Sequence, residues 1–231
     1  MRIVFLGKGG SGKTTTTAAF VKHLAKYKKH VLAIDADVNV HLKDSLGIEG
    51  ESKRIGENFS SVSQYVKGDR HLDTEFIGTT PPSLRSRFIK PTQNDQFIKD
   101  FSIQKENISL ITVGSYNEKD VGTTCYHGKL MGLETFFHHL LDSPKDWVVT
   151  DATAGVDIGT SLFLAYDLNV FVVEPTLKSV KVFHDFLEFS KKLNLNTKCI
   201  INKYDSEDED FIQKHIPGNL ILGRLPVSKN I

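Results

Sequence analysis

Gly7-Lys8-Gly9-Gly10-Ser11-Gly12-Lys13-Thr14 decides the reading of this chain. The stretch fits G-x-x-x-x-G-K-[ST], with Gly7 and Gly12 as its fixed glycines. A short β-rich run, Arg-Ile-Val-Phe-Leu at 2–6, precedes it. A helical pattern follows over 13–28, with Ala18, Val21, Leu24 and Ala25 on one face. Strand, glycine-rich turn and helix together are the setting that gives the motif its meaning. Glycines let the backbone curl with its N–H groups inward, making an anion nest at Gly9, Gly10, Ser11, Gly12, Lys13, Thr14 and Thr15. The nest opens onto a helix N-terminus, whose dipole favours negative charge. Lys13 can reach outer phosphates, and the Thr14 hydroxyl can ligate Mg²⁺.

Outward from this loop, the pattern repeats. Apolar runs occur at 31–35, 108–113, 147–151, 170–173, 198–202 and 220–225, with helical candidates at 130–142, 178–193 and 206–215. Apolar strands alternating with helices predict a predominantly parallel, doubly wound α/β sheet covered on both faces. The stretch 49–106 is polar, carries Pro81-Pro82 and Pro91, and reads as an insertion with short helices inside a single domain spanning 1–231. Several strands end in an acid or amide. Asp35 and Asp37 follow the second strand, Asp151 ends Trp-Val-Val-Thr-Asp, and Asn202-Lys203 end Ile-Ile-Asn-Lys. Such side chains at the carboxyl ends of parallel strands face a ligand crevice.

Composition bounds the partners. The chain has 231 residues, 39% hydrophobic and 25% charged, with a net charge of +1. No global field steers it to nucleic acid or anionic lipid; Arg85, Arg87 and Lys90 are the only local basic cluster singled out. Two cysteines make no disulfide framework, and no apolar run is long enough for a membrane span. The N-terminus turns polar too soon for a signal peptide, so the expected location is cytoplasmic.

Gly-Lys-Gly-Gly-Ser-Gly-Lys-Thr-Thr at 7–15 resembles the deviant Walker A loop of the MinD/ParA/nitrogenase-iron-protein superfamily of P-loop ATPases. The resemblance implies ATP and Mg²⁺ as cofactors and a homodimer in the ATP state. In it Lys8 contacts phosphates on the partner subunit, in the manner of an arginine finger. It implies that Asp37 activates the attacking water, that Asp35 supports the magnesium shell, and that Asp151 is the Walker B acid. Ala154-Gly155 would approach the γ-phosphate. Asn202 would read the adenine edge, with Lys203 beside it, and Glu174-Pro175-Thr176 and Leu225-Pro226-Val227 would wall the base. Val38 and His41 depart from the family's usual proline and asparagine.

Val-Val-Glu-Pro-Thr-Leu-Lys-Ser at 172–179, Gly-Arg-Leu-Pro at 223–226 and Gly-Thr-Thr-Cys-Tyr-His at 122–127 are similar to the CooC-like branch, whose ATPases help load nickel into carbon monoxide dehydrogenase. That branch carries a Cys-x-Cys whose copies from two subunits form an interfacial metal site. Here the pair is Cys125-x-His127, which with its symmetry mate would make a Cys2His2 set for Zn²⁺ or Ni²⁺. Two functions follow. One is a dimeric ATPase that couples hydrolysis to metal-centre or cofactor assembly, acting on an unidentified client. The other is a MinD/ParA-like localisation or partition ATPase acting on DNA or a membrane-bound partner. The latter's membrane form uses a C-terminal amphipathic helix, which Ser-Lys-Asn-Ile at 228–231 does not supply. Cys199 lies within an apolar strand and reads as core.

Overall fold

The computed structural model describes residues 1–27, 29–71, 76–116, 118–120, 122, 126–155 and 161–227. Eight strands form one sheet: β1 Arg2–Gly7, β2 Val31–Asp35, β3 Ser102–Lys105, β4 Ile108–Thr112, β5 Trp147–Asp151, β6 Leu168–Val173, β7 Thr197–Tyr204 and β8 Ile221–Pro226. Their spatial order is β3-β4-β2-β5-β1-β6-β7-β8. Every neighbouring pair is parallel except β3 with β4. The helices are α1 Lys13–Lys26, α2 Leu42–Leu46, α3 Phe59–Lys67, α4 Gln96–Phe101, α5 Tyr126–His138, α6 Leu177–Lys192 and α7 Glu209–His215. The doubly wound parallel sheet read from the sequence is the observed fold.

Parallel strands covered on both faces are apolar on both faces, which explains their continuous hydrophobic runs. Alternate residues sort cleanly. Ile3, Phe5, Val31, Ala33, Val149 and Val172 pack with Ala18 and Val21 of α1 and Leu42 and Leu46 of α2. On the opposite face, Leu32, Ile34 and Val148 meet α3, α4 and α5, while Phe171, Val173 and Ile201 meet α6 and α7.

The stretch 49–106 differs from its reading. Polar in composition, it still supplies Ile55, Val62, Val66, Ile89, Phe97, Ile98 and Phe101 to the buried core. Val62 and Val66 stand four apart on α3 and so share one face. Phe97 is fully buried, stacks on Phe101 at 4.5 Å between ring centroids, and lies 5.7 Å from Phe136 of α5. The stretch also contributes β3, an antiparallel edge strand that the sequence reading lacked. Helix α5 starts four residues before its expected place and stops at His138, because Leu140 pairs with Ile89 in an isolated bridge.

The strand order does the positioning. β2, β5 and β1 lie side by side, with Asp35 opposite Asp151 and Phe5 opposite Asp151 in register. From β1 the chain runs to one side through β2, β3 and β4, returns to place β5 beside β1, and then crosses to the other side with β6, β7 and β8, so the carboxyl ends of the central strands form the topological switch point where ligands bind in open α/β sheets. Phe97→Ala should cost about 3–5 kcal/mol in chemical denaturation while keeping a single cooperative transition. A separate early transition would mean that the 49–106 stretch folds independently.

Candidate functional site

The loop between β1 and α1 is shaped by close approach. A Cβ on Gly7 would lie 2.6 Å from Ser11 Oγ and 2.8 Å from the Val172 carbonyl oxygen. Gly12 caps α1 in the left-handed region at φ 86°, with the Asn202 amide packed where a Cβ would stand. No side chain caps α1, so its first-turn amides stay available to an anion. Thr16 and Thr17 instead donate their hydroxyls back to the Gly12 and Lys13 carbonyls.

Lys13 is buried, and its Nζ donates to Asp37 Oδ2 and Asp151 Oδ1, both at 3.0 Å. The Thr14 hydroxyl donates to Asp151 Oδ2 at 2.6 Å, and Thr17 Oγ1 lies 3.3 Å from Asp151 Oδ1. The sequence-read phosphate lysine, magnesium threonine and two strand-end acids therefore meet in one place. Hydroxyl and carboxylate oxygens are the donors a hard cation such as Mg²⁺ takes, so the set fits that ion. A cavity of about 270 Å³ opens over the loop, lined by Lys8, Gly9, Gly10, Gly12, Lys13, Thr14, Thr15, Asp37, Asn39, His41 and Ala154. Asn39 and His41 were not among the site residues read from the sequence. Asn39 donates its backbone N–H (3.0 Å) and Nδ2 (3.1 Å) to Asp37 Oδ1. Asp37 thus accepts on both carboxylate oxygens. Val40, three residues on, sits at φ 51°, a conformation costly for a β-branched side chain.

Asp35 is placed differently from Asp37. Its Oδ1 accepts from the Asp37 amide at 3.2 Å and its Oδ2 from the Leu42 amide at 2.9 Å, so it ties the loop after β2 to the start of α2. Burial, with Asp151 and Asp37 nearby, pushes its carboxyl up to about 7, against the pull of the two amides. Burial also raises Asp151, opposed by Lys13 and Thr14. Gly155 donates its N–H to the Gly7 carbonyl at 2.9 Å, which closes the loop after β5 onto the phosphate loop.

Lys8 Nζ donates to the Gly9 carbonyl at 3.0 Å and lies 3.4 Å from Glu174 Oε2. Lys203 Nζ reaches Glu174 Oε1 at 2.5 Å and the Gly10 carbonyl at 2.8 Å. Glu174, read as a wall of the base pocket, is thus the shared partner of two lysines. Burial works against its charge, but Lys203 and Lys8 hold its carboxyl below the ordinary value. Lys203 takes φ 56° at an irregularity in the β7–β8 ladder. Asn202 Nδ2 donates to the Ser11 carbonyl at 2.8 Å. Pro226 pairs with Tyr204 at the exposed edge and is not among the residues lining the cavity over the loop.

Cys125 lies outside the described residues, so its pairing with His127 is not placed; His127 is exposed in the first turn of α5. Among the described residues no group of three or more His, Cys, Asp or Glu side chains is disposed to hold a metal ion. Cys199 is buried, as expected, and burial pushes its thiol up to about 12. No helix among the described residues is long and apolar enough to cross a membrane.

The sequence profile of the CobQ/CobB/MinD/ParA nucleotide binding domain matches residues 3–231. The chain belongs to this family. It is 28% identical over 234 residues to the carbon monoxide dehydrogenase accessory protein CooC of Rhodospirillum rubrum, covering 100% of this chain and 85% of that one. Among solved structures it resembles a ParA family ATPase from Chlorobium tepidum, with a TM-score of 0.67 and 19% identity over 99% of this chain and 85% of the other. It also resembles the septum site-determining protein MinD of Pyrococcus horikoshii, solved with Mg-ADP, at a TM-score of 0.61 and 19% identity over 97% and 81%. These likenesses fix the P-loop fold of the ParA/MinD type.

The raised Asp35 makes stability depend on pH. Unfolded, the group ionises near its ordinary value of 3.8; folded, it holds its proton until about pH 7. The folded state therefore binds more protons across that window, and the Asp35 contribution to stability falls as pH rises from about 4 to 7. The stability advantage of wild type over Asp35→Asn, measured by denaturation without nucleotide, should be larger at pH 5 than at pH 8. An equal difference at both would refute the burial effect.

Proposed function

We propose that this chain is a magnesium-dependent ATPase that acts as one unit, dimerises around bound ATP and spends the cycle on a client protein in metal-centre assembly. The observation that carries the ATPase reading is the buried Lys13 between Asp37 and Asp151, with Thr14 on Asp151, under the uncapped start of α1. Phosphate oxygens entering the nest would take Lys13 and the first-turn amides, and Mg²⁺ would be held by Thr14 with Asp151 at hand. Release of Lys13 leaves Asp37 free to orient a water against the γ-phosphate.

Asn202 supports adenine as the base. One of the two Nδ2 hydrogens goes to the Ser11 carbonyl, which leaves the other hydrogen and the Oδ1 acceptor. A donor and an acceptor side by side suit the adenine edge. Lys8 at the loop's rim is the lysine to cross into a partner's site, since its home contacts are one exposed hydrogen bond to the Gly9 carbonyl and one long, partly buried ion pair with Glu174. The likeness to CooC supports a client whose metal centre is being assembled. A metal held by Cys125 and His127 across the dimer would suit that role and is tested by metal content of Cys125→Ser.

Lys13→Ala should weaken Mg-ATP binding by roughly 10- to 100-fold in calorimetry, the loss expected for charge-assisted hydrogen bonds. Unchanged affinity would sink the nucleotide site. In sedimentation, ATP should convert wild type to a dimer and ADP should not. Lys8→Ala should stay monomeric with ATP bound, and Asp37→Ala should keep the ATP dimer because hydrolysis is slowed. One mass under all these conditions contradicts the switch.

A further inference from the structure

Tyr126 opens α5, and its hydroxyl donates to the Ala36 carbonyl oxygen at 2.9 Å. Ala36 lies between Asp35 and Asp37 and is buried. The peptide linking Ala36 to Asp37 is therefore gripped at both polar ends. Its carbonyl accepts from Tyr126, and its N–H, on Asp37, donates to Asp35 Oδ1 at 3.2 Å. A peptide unit is a rigid plane, so fixing both ends fixes the Asp37 Cα. From there the carboxylate reaches Lys13 and Asn39.

The grip comes from a firmly seated helix. A Cβ on Gly132 of α5 would come 2.5 Å from the Ile55 carbonyl oxygen, and one on Gly56 would come 2.7 Å from that of Lys129. Only small residues allow this approach. Ile55 and Gly56 in turn donate to the Thr112 and Val113 carbonyls at the end of β4. Lys129, one turn beyond Tyr126, is buried and bonds the Ser115 carbonyl and Asp120, both at 2.7 Å. The hydroxyl is thus presented by a body anchored to the sheet, while the loop it holds carries the strained Val40.

We propose that Tyr126 is a positioning residue for the nucleotide site: its hydroxyl sets the place of Asp37 through the Ala36 carbonyl and links that place to the first turn of α5. This deepens the ATPase reading and rests on it. A nucleotide that shifts Asp37 must strain or release the Tyr126 bond, and whatever moves the start of α5 must shift Asp37 by the same coupling, since such linkage is reciprocal.

Tyr126→Phe keeps the ring and removes only the hydroxyl. In the full chain, kcat for ATP hydrolysis should fall roughly three- to tenfold, the scale of one hydrogen bond, with KM for ATP unchanged. Amide exchange should speed up in the 35–39 segment without nucleotide. The change that a non-hydrolysable ATP analogue causes in exchange over 126–133 in wild type should be lost. A variant with reduced melting temperature but wild-type kcat and an intact analogue response would make Tyr126 merely structural and overturn the proposal. If wild type binds ATP without hydrolysing it, the ATPase reading fails and the analogue response alone decides. If wild type binds no nucleotide, exchange at 35–39 decides: faster exchange in Tyr126→Phe keeps the grip, and equal exchange refutes it.

Discussion

One buried ammonium holds this site together. Lys13 stands between Asp37 and Asp151, and Asp35 lies opposite Asp151 on the next strand. Three carboxyl groups thus share a small, largely buried volume with a single lysine. Burying unpaired charge is costly, so at neutral pH the site must hold a proton, a cation or a ligand to balance it. Asp35 supplies part of that balance, because burial and its acidic neighbours raise its carboxyl to about 7. Asp37 and Asp151 take the lysine. The Thr14 hydroxyl and the Asp151 carboxylate, side by side, are oxygen donors that a divalent cation would take. An anion entering with such a cation would meet a lysine able to turn from the acids to it.

The two acids after β2 divide the work by where their oxygens find donors. Asp35 spends both oxygens on backbone amides and fixes the path of the loop into α2. Asp37 spends its oxygens on side chains and a local turn, contacts that can exchange when phosphate arrives. Val40, strained in the left-handed region, sits where that loop bends toward α2. A strained residue beside exchangeable contacts and a fixed anchor is the arrangement expected of a segment with two nearly balanced states.

Much of this was legible in the chain because its strongest signals are local. Buried parallel strands must be apolar on both faces, so β1, β2, β4 and β5 stand out as continuous runs. The phosphate loop needs glycines at fixed spacing, so it stands out too. What escaped depends on partners distant in sequence. Ser102–Lys105 holds one apolar side chain in four and becomes a strand only because β4 offers an open edge. Five residues are too few to show a helical period, so α2 gives no pattern; Asp35 organises it from outside. The 49–106 stretch looked like an excursion because its core residues are scattered among polar ones. Glu174 looked like a pocket wall because nothing in Glu-Pro-Thr reveals two lysines folding over it. Neither could Tyr-His-Gly at 126–128 reveal that its tyrosine holds the backbone between two aspartates 90 residues earlier.

Glu174 holds two lysines, and this bears on the proposed role of Lys8 in a partner's site. Its two oxygens serve different cations, Oε1 the close Lys203 and Oε2 the more distant Lys8. Were Lys8 its sole partner, withdrawing that lysine would strand a largely covered carboxylate. With Lys203 in place, Glu174 remains paired and hydrogen-bonded after Lys8 leaves. Lys8 itself gives up one carbonyl contact and a 3.4 Å ion pair near the surface, each worth on the order of 1 kcal/mol or less. A phosphate oxygen offers a stronger, charge-assisted bond than either. Such an anion within reach would therefore draw Lys8 from Glu174, as the proposed contact with a partner's nucleotide requires.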